Sequence, residues 1–236
     1  MSPALSISLL ALVLFILAFS GVHFLGAYFL RALGNHKGQE PPSLFLAHIC
    51  RRLLGFTLMG ILPLLVFYYV YELPLGDYGI NMYRWERSFI WILLLLPPII
   101  AMNYYIAGKP SNLSQYPQIR LIHWDLKNLL VNFTSWILYL LGYEMLFRGF
   151  LLFALYDAFG LTPAIAMNVV LYALAHIPKG LREMAGSVPF GIILCMITLN
   201  TGSFLAAFVL HSAMALSNEF FAIRFHPNMR IKSLRP

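Results

Sequence analysis

The stretch from Leu5 to Leu30 contains no Asp, Glu, Lys or Arg, and an apolar run of that length restricts the available folds more than any other feature. About 20 apolar helical residues cross a hydrocarbon core of about 30 Å, and a helix crosses it because it satisfies its own backbone groups. The run exceeds the core of a secretory signal and no basic residue precedes it, so it reads as a retained first span. Further apolar runs cover about Leu53 to Tyr71, Phe89 to Ile106, Leu126 to Phe159, Pro163 to His176, Val188 to Asn200 and Phe204 to Ile223. They predict an all-α, polytopic transmembrane helix bundle of about seven spans. In 236 residues this leaves little room for a soluble domain. The run from Leu126 to Phe159 is too long for one upright span and is interrupted at Gly142, where a tilt, bend or break is expected.

A chain that is 60% hydrophobic and 11% charged is far from the composition of a water-soluble domain. Its net charge of +7 does not point to nucleic acid, because the basic residues lie between and after apolar runs rather than along one face. They read instead as topology signals. Arg31, Lys37, Arg51 and Arg52 fall in the first loop, Lys109, Arg120 and Lys127 in the third, and Lys179 with Arg182 in the fifth. Arg224, Arg230, Lys232 and Arg235 follow the last span, which predicts an outside N-terminus and a cytoplasmic C-terminus. Tyr68-Tyr69 and Tyr104-Tyr105 lie near helix ends and read as aromatic belts. Cys50 and Cys195 are far apart in apolar surroundings and suggest neither a disulfide nor a cysteine metal site.

An ionisable group inside a membrane costs a few kcal/mol or more, so by default it faces the protein interior and marks function. The first three spans carry only His23. The later ones carry Glu144, Arg148, Asp157, His176, His211 and Glu219, with Asn168, Asn200 and Asn218 adding polarity. Glu144 and Arg148, four apart, share a helical face and suit either an interhelical ion pair or a held catalytic carboxylate. A lone histidine usually makes an interhelical hydrogen bond. One glutamate with two histidines is nevertheless the inventory for activating a water, directly or on a metal. Asp157 and Glu219 lie near helix ends and read as interfacial.

Tyr143-Glu144-Met145-Leu146-Phe147-Arg148-Gly149 resembles the first motif, Glu-Glu-x-x-x-Arg, of the CPBP family of intramembrane proteases, which includes CAAX prenyl proteases and bacteriocin-immunity proteins. Tyr172-Ala173-Leu174-Ala175-His176 is similar to its second motif, Phe-x-x-x-His. His211-Ser212-Ala213-Met214-Ala215 falls where His-x-x-x-Asn is expected. The resemblance covers roughly residues 126 to 223, dividing the chain into N-terminal helices (1–125), a CPBP-like catalytic core (126–223) and a basic tail (224–236). Two positions depart from the pattern: Tyr143 replaces the first glutamate and Ala215 the asparagine.

The resemblance implies an intramembrane endopeptidase in which Glu144 and His176 hold the attacking water, His211 stabilises the oxyanion and Arg148 positions Glu144. Use of Glu144 in place of residue 143 requires a shifted helix, since neighbours differ by about 100 degrees. Asn218, two turns past His211, is a candidate for the missing amide. Glu144, His176 and His211 also meet the ligand count of a catalytic zinc. The implied partners are the lipid bilayer and a peptide or membrane-protein substrate, not nucleic acid, and the compact chain without a targeting tail leads us to expect a bacterial inner membrane. The two departures motivate the alternative of a non-catalytic membrane binding or immunity protein. A transporter or channel is a third reading, which the crowding of polar groups into one half opposes.

Overall fold

In the computed structural model, which describes residues 2–33 and 42–232, the apolar runs are helices. They are α1 (Pro3–Leu33), α2 (Ser43–Val70), α3 (Trp85–Ala107), α4 (Leu126–Phe159), α5 (Leu161–Ala175), α6 (Leu181–Thr201) and α7 (Leu205–Phe225). Six are long and apolar enough to cross a membrane, while α5 has 15 residues. The chain is an all-α integral membrane protein, as its hydropathy predicts. Lys37 and Arg235 lie outside the described residues.

The second helix begins well before its apolar run, so His48, Arg51 and Arg52 lie on α2 rather than in a loop. His23 is therefore not the sole ionisable group of the first three spans. Arg52 is only 4% exposed because α4 offers it oxygens. Its Nη1 donates to Asn132 O at 3.1 Å, Asn132 Oδ1 at 2.6 Å and Ser135 Oγ at 3.1 Å, and its guanidinium lies 4.3 Å from the centre of the Trp136 ring. Bonds made inside the protein replace those water would have made.

Helix α4 starts at Asp125, whose side chain accepts from Asn128 N at 2.7 Å as an N-cap. It runs through Gly142 without the break that is one of the expected alternatives there. A Cβ at Gly142 would lie 3.1 Å from Gly60 N, Phe56 Cα and Phe56 O, so glycine lets the α2 and α4 backbones touch there. The irregularity lies just beyond, where Met145–Leu151 forms a π-helical stretch with hydrogen bonds spanning five residues. Asn168 of α5 donates to Phe147 O in that stretch at 2.7 Å, and Cys195 Sγ of α6 donates to Asn168 Oδ1 at 3.3 Å. Side chains of α5 and α6 thus hold the π stretch of α4 in place.

The core joins both halves of the chain. Phe15 of α1 meets Phe147 edge-on at 5.1 Å, and Phe67 of α2 lies 4.4 Å from Phe150. At one end of the bundle, His123–Trp124 and Arg230–Ile231 form a two-residue parallel bridge, and Gln118 meets both Arg52 and Glu219. At the other, Asn81 Nδ2 donates to Gly202 O at 2.9 Å and Arg84 to Asn200 O at 3.3 Å. Tyr68, Tyr69, Tyr104 and Tyr105 are exposed, as aromatic belts require.

Candidate active site

Glu144 ends the regular part of α4 and is fully buried. Its Oε1 is 2.5 Å from His211 Nδ1 on α7 and 3.4 Å from Arg148 Nη1, one turn further along. Arg148, also fully buried, lies 4.1 Å from the centre of the Tyr172 ring. Positive charge from Arg148 offsets the cost of burying the carboxylate. Among the described residues, Glu144 Oε2 has no hydrogen-bond partner. One carboxylate oxygen is therefore held, and the other keeps its full capacity to accept.

His176 caps the C-terminus of α5. Its Nδ1 lies 2.8 Å from Tyr172 O, and a carbonyl can only accept, so Nδ1 carries a proton and, in the neutral ring, Nε2 keeps its lone pair. Tyr172 joins the histidines: its ring centre is 4.6 Å from that of His176 and 6.0 Å from that of His211. All four residues expected from the sequence thus converge from α4, the end of α5 and α7. Glu144 is bonded directly to both Arg148 and His211, whereas His176 joins them through Tyr172.

Asn218 is not beside them. Its Oδ1 accepts from Asn112 Nδ2 at 3.1 Å, nearer the end of the bundle. The expectation for the two end carboxylates divides: Asp157 is exposed, but Glu219 is fully buried in protein, accepting from Gln118 N at 3.2 Å. The segment carrying Gln118 folds back into the bundle, a tertiary contact that no local pattern announces. Beside this group Tyr116 Oη donates to Glu183 at 3.3 Å, and burial together with that carboxylate pushes the phenol well above its ordinary range. Burial also lowers Lys179, in the turn after His176, against the opposing pull of Glu183.

No three His, Cys, Asp or Glu side chains among the described residues are grouped to hold a metal ion. Glu144 and His211 meet, but with His176 they do not make the three-ligand set that a catalytic zinc takes.

Residues 125–217 match the family model described as Rce1-like, type II CAAX prenyl endopeptidase Rce1-like. That segment contains Glu144, Arg148, His176 and His211. Neither curated proteins nor solved structures give a match. The segment from α4 into α7 is thus similar to the Rce1-like family, in keeping with the CPBP family that its three motifs resemble.

Proposed function

We propose that this chain is an intramembrane endopeptidase that hydrolyses a peptide bond of a membrane-associated substrate with a water activated by Glu144 and His176. The observation that carries the reading is the division of labour within Glu144: Oε1 is fixed by Arg148 and His211 while Oε2 is unpartnered. A held carboxylate with one uncommitted oxygen suits a general base. Water held between Glu144 Oε2 and His176 Nε2 attacks the carbonyl carbon and gives its proton to the carboxylate. The oxyanion that forms is stabilised by His211, and the proton passes on to the leaving amine as the C–N bond breaks. Arg148 positions Glu144 throughout.

Basic residues collect at one end of the bundle: Arg51, Arg52, Lys127, Lys179 and Arg224 lie on or beside the helix ends that meet Gln118 and the 123–124 bridge. By the positive-inside rule this end is cytoplasmic, and the start of α1 faces outward. A bacterial inner membrane is the proposed setting.

One observation favours the non-catalytic alternative. The Arg148–Glu144–His211 contacts would also serve as a brace between α4 and α7. Purified protein in detergent, offered membrane-proximal and prenylated peptides beside Glu144→Ala and His176→Ala variants, separates the two. The proposal requires cleavage by the wild type that both variants lose. No cleavage by folded wild type would leave the brace as the better account, and loss of cleavage with a chelator would bring a metal into the site.

A further inference from the structure

Tyr143 immediately precedes Glu144 and is 4% exposed. Its ring stacks on Phe147 with centres 4.5 Å apart and meets His211 edge-on at 5.6 Å and Tyr172 at 5.9 Å. The hydroxyl is buried, yet among the described residues it has no hydrogen-bond partner. Buried polar groups are nearly always paired, and an unpaired one is destabilising. Packing does not account for it, because phenylalanine would make the same ring contacts without the unpaired group. The orphaned hydroxyl and the unpartnered Glu144 Oε2 belong to adjacent residues, and both of those residues touch His211.

Resting on the proposed peptidase reading, we infer that Tyr143 is a catalytic residue whose hydroxyl donates a hydrogen bond to the carbonyl oxygen that becomes negative as water adds. His211 alone is an awkward donor. Its Nδ1 faces Glu144, so it can donate from Nε2 only as an imidazolium. One turn past His211 the chain has Ala215, which offers no donor. A neutral phenol needs no change of protonation state to donate. When the water oxygen bonds to the carbonyl carbon, the carbonyl π electrons move to oxygen, which accepts from Tyr143, and the water proton goes to Glu144. Collapse returns those electrons, breaks the C–N bond and delivers the proton from Glu144 to the amine. Tyr143 stays protonated throughout.

The test is Tyr143→Phe in the full chain, comparing kcat, KM and thermal midpoint with wild type. Removal of one oxyanion donor lowers kcat by about 10²- to 10³-fold in well-studied enzymes. A fall of that order is expected here, with KM little changed and a thermal midpoint equal to or above that of wild type. A merely structural role would instead lower the midpoint and leave kcat close to wild type, and either result would overturn the inference. An active wild type with an equally active Tyr143→Phe sinks this inference alone. An inactive wild type sinks the peptidase reading and this inference with it.

Discussion

Helices α3 and α4 are both apolar spans, but they do different work. About 11% of the apolar window of α3 is buried inside the bundle, against 72% of that of α4. Exposed leucines and isoleucines such as Ile90, Leu93 and Leu94 leave one broad face of α3 to lipid, where hydropathy is the main requirement. Around α4 the other helices close, and there the chain accepts a glycine contact, a π stretch and a buried Glu144–Arg148 pair. Hydropathy places a helix in the membrane, and departures from it show what the helix is for.

The contrast can be broken most forcefully at Glu144. Glu144→Gln keeps the shape and removes the charge, leaving Arg148 buried without a counter-ion. We expect cleavage to be lost and stability in detergent to fall by about 3–5 kcal/mol, the usual effect of breaking a buried pair. Denaturant titration of the purified variant measures this, and an unchanged stability would mean that the pair is not buried as described. Gly142→Ala tests the close helix contact. Its Cβ would press on three backbone atoms at 3.1 Å, so a loss of about 1–3 kcal/mol is expected from overpacking. Leu93→Ala on α3 supplies the opposite limit. With a side chain 56% exposed, it should change stability by no more than about 0.5 kcal/mol and leave cleavage rates as they are; a larger effect would erase the distinction between the two helices.

The architecture was legible because a bilayer forces each span to announce itself as an apolar run. Glu144, Arg148, His176 and His211 were legible for the converse reason, as charged or polar residues in runs that otherwise exclude them. The burial of Arg52 is not legible in the sequence. Lying beside Arg51 at the edge of an apolar run, Arg52 reads as a loop cation, and only the oxygens of Asn132 and Ser135 on α4 explain its burial. The burial of Glu219 is hidden for the same reason, since its partner Gln118 lies 101 residues away in sequence. The π stretch has no signature either: Gly142 reads as a break in sequence, yet its role is to admit the α2 backbone. Pairings between distant segments, and helical irregularities stabilised by them, are set by tertiary contact and leave little trace in local pattern.

His176 offers the most direct test of whether this cluster catalyses or merely braces. Its one side-chain hydrogen bond among the described residues is to Tyr172 O within its own helix end, so its ring ties no two helices together, unlike the side chains of Glu144 and His211. The measurement is the cleavage rate of His176→Ala beside its thermal midpoint in detergent. The expected result is a rate lowered by about 10²- to 10⁴-fold, the range for a positioned acid–base group, with a midpoint close to that of wild type. A variant that cleaves as fast as wild type would contradict it.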